Sequence, residues 1–345
     1  MLRRIVVNST QEIRKKLIEA RDKRGWDNKD WHRATGIDQR VLEAIDKGEL
    51  DLTKPSTEGL ADLILQGTRK NELPNLLRFD KPQVIAFEIH KGGAGKTTLS
   101  VNMACELGQR GYNVLLIDAD AQGDSTSTVL ASKKGALEKS KELNLYECLI
   151  SDEPVLDIRD YIIPSAYDGL DCVASKTNLT RMDVILSSMP FRERIFARSL
   201  EELIRENYYD FVLIDMDKNL NIFNSAILCG CDYILIPSET EYYNLKGIVV
   251  MKAQIQNVQE YNKNLKLLGI VFNKVDMRKK SVEEAKEAMN KQFEGYVFEN
   301  ILKVDANIGN SQYDGMPVMV YNRSCRASQQ IRAITDEMLE RIKKG

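Results

Sequence analysis

The chain has 345 residues, 43% hydrophobic and 29% charged, with a formal net charge of −2. That is the make-up of an ordinary globular protein, and it excludes whole-chain electrostatic attraction to nucleic acid or acidic lipid, so any such contact must come from a local patch. The six cysteines show no CxxC spacing, which argues against a disulfide framework or a zinc site.

The N-terminus, Met1 to Asn8, turns polar too soon for a signal peptide, and no apolar run approaches the roughly 18 residues of a membrane span. The sequence is therefore read as that of a cytoplasmic protein. In residues 1–80, Ile13, Leu17 and Ala20 are spaced for one helix face, and Ser9 or Thr10 can cap its start. Residues 73–82 hold Pro74 and Pro82 and read as a linker. From residue 81 to 345 the pattern changes. Runs at 84–89, 114–117, 211–214, 233–236 and 267–272 are short and nearly continuously apolar, as in parallel strands buried on both faces. Amphipathic stretches at 98–109, 191–207 and 244–261 lie between them. The alternation predicts an α/β fold, a doubly wound and mostly parallel sheet, preceded by a small all-α domain. Cys229-Gly230-Cys231 reads as small buried residues at a helix end.

The first strand runs into Lys91-Gly92-Gly93-Ala94-Gly95-Lys96-Thr97-Thr98 and then a helix, the context of a phosphate-binding P-loop. Gly92, Gly93 and Gly95 lack side chains, so the backbone N–H groups of residues 92–98 can close around phosphate at a helix N-terminus. Lys96 supplies a point charge for the β- and γ-phosphates, and the Thr97 hydroxyl a ligand for Mg2+. The plain P-loop pattern wants glycine where His90 stands, and Lys91 ahead of the double glycine is additional.

That run resembles the deviant Walker A box, KGGxGKTT, of the ParA/MinD ATPase superfamily. The resemblance implies that Lys91 reaches across a homodimer interface to the partner's nucleotide, so that two subunits sandwich two ATP molecules. Residues 114–124, with Asp118-Ala119-Asp120-Ala121-Gln122-Gly123, resemble the family's DxDPQG box. By that likeness Asp120 positions the attacking water and Asp118 organises Mg2+. Residues 209–215 resemble the Walker B strand, with Asp215 holding Mg2+ through water. The family continues Thr-Pro-Pro, whereas this chain has Met216-Asp217-Lys218. Asp217 and Lys218 are expected either to alter hydrolysis or to pair with each other at the surface. Asn273 stands where the family has its adenine-contacting asparagine. Asn273-Lys274-Val275-Asp276 also mimics a guanine-reading NKxD box, but the surrounding likeness favours ATP. The resemblance covers roughly residues 82–343.

It further implies an ATP-dependent partition ATPase, nucleoid-associated, that binds DNA mostly without sequence preference and acts with a centromere-binding ParB-type protein. The stretch matching the family's DNA contacts is Arg278-Lys279-Lys280, with Arg323 and Arg326 further on. Residues 29–48 resemble the helix-turn-helix of Cro/repressor-type domains: Gly36 suits the turn, Asp38 can cap the second helix, and Gln39 and Arg40 stand where bases or phosphates are reached. His32 and Trp31 depart from that pattern, which leaves a dimerisation or partner-docking module open. A MinD-like membrane-surface ATPase is the alternative that residues 328–344 raise, with Ile331, Ile334, Met338 and Ile342 on one side. Their acidic neighbours Asp336, Glu337 and Glu340 favour packing on the core instead, so no membrane contact is expected. The third reading is an operator-binding regulator with an ATP switch.

Overall fold

The computed structural model describes residues 10–35, 37–52, 60–61, 64–65, 76–77, 79–151, 156–240, 244–278 and 281–344, without the side chains of 244–246 and 281. The chain separates into two compact units, Met1–Leu76 and Leu77–Gly345.

In the N-terminal unit three helices, α1 (Thr10–Asp22), α2 (Asn28–Thr35) and α3 (Gln39–Lys47), surround a small core of Leu17, Trp31, Leu42, Ile45, Leu52 and Ile64. Asp38 caps α3 by accepting from the Arg40 backbone N–H at 2.8 Å. Gly48 ends it in the left-handed conformation that favours glycine. Trp31 is fully buried, so the bulk that departs from the repressor pattern is used as core. A ring nitrogen of His32 lies 2.6 Å from the Ile37 carbonyl, in the approach to α3. Gly36, the residue expected to make the turn, lies outside the described residues.

The second unit is built on β1 (Gln83–Phe87), α4 (Lys96–Gln109), β2 (Val114–Ala119), α5 (Asp124–Leu130), α6 (Ala136–Lys139), α7 (Leu145–Leu149), β3 (Ile163–Pro164) and β4 (Leu170–Val173). It continues through α8 (Met182–Ser187), α9 (Ile195–Ser199), α10 (Glu201–Glu206), β5 (Phe211–Met216), α11 (Ile222–Leu228), β6 (Tyr233–Ser238), α12 (Asn244–Gln259) and β7 (Lys266–Phe272). Four helices close it: α13 (Ser281–Gln292), α14 (Ala306–Tyr313), α15 (Val318–Tyr321) and α16 (Arg326–Lys344). The described strands form a seven-stranded sheet in the order β3-β4-β2-β5-β1-β6-β7, parallel except for β3 against β4. The doubly wound, mostly parallel sheet is as expected.

The apolar runs form strands because both sheet faces are covered: β1, β2 and β5 are buried at every position. The chain leaves β1 for β2 on one side and reaches β6 on the other. The sheet therefore has its switch point beside β1, where ligands sit outside the carboxyl ends of the strands.

Two expectations are corrected. The stretch 191–207 is divided into a 3-10 turn at Arg192–Arg194 and the helices α9 and α10, which meet at Leu200; Phe191 and Asn207, at positive φ (55° and 51°), bound it. Strands β3 and β4 were not foreseen, being too short and mixed to show a period. Cys229 caps α11, and Cys231 is buried with its thiol on the Ile227 carbonyl; all six cysteines are free. The apolar side of α16, Ile331, Ile334, Met338 and Ile342, is buried, and the helix packs on α4 and β7.

Candidate nucleotide-binding site

The turn after β1 crosses from Glu88 to Gly95 and enters α4 with Lys96 as its first residue. Gly93 and Gly95 have φ of 78° and 92°. No side chain caps the helix, so its first N–H groups face the cavity with the positive end of the helix dipole. A Cβ on Gly95 would stand 1.8 Å from the Asn273 amide nitrogen, so close approach as well as φ requires glycine there. Lys96 is 7% exposed, and its ammonium lies 3.4 Å from both the Ile89 and the Lys91 carbonyl, folded back over the loop. The Thr98 hydroxyl accepts from Gln312 of α14 at 3.2 Å, which draws that helix to the cavity wall.

The cavity in front of the loop has a volume of about 610 Å³, within the usual range for small-molecule sites. Gly92, Gly93, Gly95, Lys96, Thr97 and Thr98 form its floor. Asp120, the loop 217–219 and residues 303–312 form its walls.

Strand register brings the carboxylates together. Asp118 of β2 is the direct partner of Asp215 of β5, and neighbouring parallel positions share a face. Asp118 is fully buried; one oxygen accepts from the backbone and the hydroxyl of Thr126, both at 2.7 Å, and the other from the Asp120 N–H. Asp215 accepts from Ser125 at 2.6 Å and from the Thr97 side chain, while its second oxygen is buried with no partner. Burial pushes both carboxyls above the ordinary range, and the charge of Asp215 raises Asp118 further. Two adjacent buried carboxyls with one orphaned oxygen lack positive charge. A divalent cation held by Asp215 and Thr97 fits that donor set, with Asp118 behind them. No group of three His, Cys, Asp or Glu gathers among the described residues, so the rest of a cation's shell must come from ligand oxygens and water. Asp120 is half-buried and lines the cavity, with one oxygen taken by the Gln122 N–H; burial raises its carboxyl too.

Several expected residues sit differently. Asn273 is 1% exposed; it donates to the Ala94 carbonyl at 2.7 Å and accepts from the Lys274 N–H at 2.8 Å. Its amide is turned to the loop as a brace, and the residue also lines the cavity. Beside it Lys274 holds a positive φ of 53° and donates to the Gly93 carbonyl at 2.6 Å. Lys91 bonds Glu239 at 2.8 Å within its own chain. Asp217 bonds Asn219 and Asn224, so the surface pair expected between Asp217 and Lys218 does not form.

The residues considered for DNA are scattered. Arg278 is exposed, with its guanidinium on Asp276. Lys279 and Lys280 lie outside the described residues. Arg326 is tied to Asp305 at 3.3 Å, and Arg323 is exposed just before α16. In the other unit Gln39 is buried and donates to Glu43 at 2.7 Å, and Arg40 is exposed.

Sequence reasoning passed over Glu88, hidden in an apolar run although its charge was the signal. It is fully buried at the root of the loop, with one oxygen near Asn224 (3.3 Å) and His90 (3.5 Å) and the other without a partner. Burial raises its carboxyl to about 8, against smaller lowering effects of the Asn224 amide and the Lys96 charge. In the folded protein it is neutral at pH 7, whereas in the unfolded chain it ionises near 4.5. The stability it contributes is thus fully present below pH 4.5 and is lost as pH rises towards 8. Glu88→Gln, neutral at every pH, is expected to flatten the fall in denaturation midpoint between about pH 5 and pH 8. A midpoint that falls as steeply in the variant would contradict a neutral Glu88.

Comparison with known proteins bears on this geometry. The family model AAA_31, described as an AAA domain, matches residues 82–267, just over half of the chain. The chain belongs to this AAA domain family. Proteins similar to it include ParA and Soj. The chromosome partitioning protein ParA of Caulobacter vibrioides is 26% identical over 260 residues, 75% of this chain and 94% of that protein. The sporulation initiation inhibitor protein Soj of Bacillus subtilis is 29% identical over 248 residues, 72% of this chain and 94% of that one. The fold is shared with a plasmid partition protein from Borrelia burgdorferi bound to AMPPNP, at TM-score 0.62 and 20% identity, over 76% of this chain and 99% of that one. The AAA domain match begins one residue before β1 and ends within β7, so it spans the phosphate loop, Asp118, Asp120 and Asp215. It leaves the N-terminal helices and residues 303–312 outside.

Proposed function

We propose that this chain is a Mg2+-dependent ATPase of the ParA type that dimerises on ATP, binds DNA without sequence preference, and segregates plasmid or chromosomal DNA with a centromere-binding ParB-type partner. The observation that carries the catalytic part is the meeting of Lys96, Thr97 and the uncapped N-terminus of α4 in one cavity, with buried Asp215 and its orphaned oxygen bonded behind Thr97. ATP and Mg2+ suit that set of groups, and the Borrelia protein of the same fold holds AMPPNP.

In this reading the N–H groups of residues 92–98 and the Lys96 ammonium bind the phosphate chain and neutralise charge that grows on it. Asp215 and Thr97 would hold Mg2+, with Asp118 behind them, and the cation would supply further charge neutralisation. Asp120 holds the attacking water, and its raised carboxyl suits it to accept a proton. Positioning of this kind, more than covalent chemistry, lowers the barrier to phosphoryl transfer. Residues 303–312 and Asn273, which also line the cavity, are assigned to the nucleoside. Lys91, ion-paired with Glu239 at the loop, would exchange that partner for a second subunit's nucleotide.

Support for DNA binding comes from the ParA-type relatives and from Arg278 and Arg323, both exposed. Among the described residues no helix is long and apolar enough to cross a membrane. The burial of Ile331, Ile334, Met338 and Ile342 also removes the face that a membrane anchor would need. The test is retention of the full chain on non-specific duplex DNA with ATP, ADP or no nucleotide. Retention is expected only with ATP, falling steeply as salt rises. Equal retention in all three states would overturn the reading.

A further inference from the structure

The loop after β5 leaves the family pattern, and its side chains form one connected bracket. Asp217 accepts from the Asn219 backbone at 2.8 Å and its amide at 2.7 Å, which folds residues 217–219 into a tight turn. Asn224 of α11, fully buried, donates to Asp217 at 2.8 Å, to the Asn219 carbonyl at 2.8 Å and to Glu88 at 3.3 Å. His90, at the start of the phosphate loop, stands 3.5 Å from Glu88 and hydrogen-bonds Gln254 of α12 at 2.7 Å through its other ring nitrogen. The turn is thus tied to the root of the loop through Asn224, which joins it to Glu88. A neutral Glu88 lets this buried bracket form without two facing carboxylate charges.

At the apex stands Lys218. It is exposed, lines the same cavity as Lys96 and Thr97, and its Cδ lies 3.6 Å from where a Cβ on Gly92 would be. Its neighbours at the loop are engaged: Lys91 with Glu239, Lys274 with the Gly93 carbonyl. Asp217 is bound elsewhere, and among the described residues the Lys218 ammonium has no hydrogen bond or ion pair. A cation held over a phosphate loop by a rigid turn, with no anion of its own, is suited to an anion that arrives with the ligand.

We propose that Lys218 contacts the terminal phosphate of a bound nucleoside triphosphate and makes the site discriminate triphosphate from diphosphate, with Asp217, Asn224 and Glu88 as its positioning residues. The inference rests on the nucleotide reading given above and adds to it a specificity determinant outside the phosphate loop. The test is equilibrium binding of AMPPNP and of ADP, each with Mg2+, to the full chain and to Lys218→Met, Lys218→Arg and Lys218→Glu. Lys218→Met is expected to weaken AMPPNP about tenfold and ADP less than about twofold. Lys218→Arg should recover most of the difference, and Lys218→Glu should enlarge it. A wild-type chain that binds both ligands, with a Lys218→Met variant that weakens both equally or neither, would overturn the proposal. A wild-type chain that binds neither ligand would instead overturn the nucleotide reading itself.

Discussion

Lys96→Ala is expected to lower ATP turnover by about 100-fold or more, in line with the loss of a preorganised charge at a transferring group. The side chain is 7% exposed, and its ammonium has only two long contacts to backbone carbonyls, which leaves its hydrogen-bonding capacity unfilled until an anion arrives. It is also a positive charge close to the Asp215 carboxylate, so its removal raises the proton affinity of that group. Turnover should fall together with binding of a fluorescent ATP analogue, while circular dichroism stays that of the parent. Turnover within a few-fold of wild type would move the chemistry away from this loop.

The second large effect is expected at Gly95. Alanine there must hold φ near 92°, a conformation that costs about 1–3 kcal/mol for a residue with a side chain. Its Cβ would also stand 1.8 Å from the Asn273 amide, which must leave and give up its bond to the Ala94 carbonyl. Gly95→Ala should therefore lower the melting temperature by several degrees and remove nucleotide binding, because the displaced brace is what holds the loop under the phosphates. Gly92→Ala is the contrast, since its Cβ meets only the Lys218 Cδ at 3.6 Å, an ordinary contact, and its melting temperature should stay close to that of the parent. Equal melting temperatures for the two variants would argue against the packing of Asn273 beneath Gly95.

The strands were legible because burial on both faces writes itself into sequence as uninterrupted apolar runs: Val114–Ala119 and Phe211–Met216 are buried throughout. The phosphate loop was legible because glycines, a lysine and a threonine follow one another in the chain, and their spacing alone states the chemistry. The edge strands Ile163–Pro164 and Leu170–Val173 were not legible, since pieces of that length carry no period. Nor could the residues across the cavity be found, for Gln312 meets Thr98 over more than two hundred positions.

By itself, then, the sequence determined the sheet, the phosphate loop, the carboxylates Asp118, Asp120 and Asp215, and the likeness to ParA-type proteins, because each is a local pattern of residue type and spacing. Tertiary structure decided where the side chains point. It turned Asn273 to the loop, set Lys91 on Glu239, buried Gln39, and separated Asp217 from Lys218 by giving each another place in the cavity wall. The physical reason is plainest at Asn273 and Gln39, which are buried. A polar side chain takes the partner that burial makes most costly to leave unmatched, and that partner is chosen by the fold and not by the neighbour in the chain.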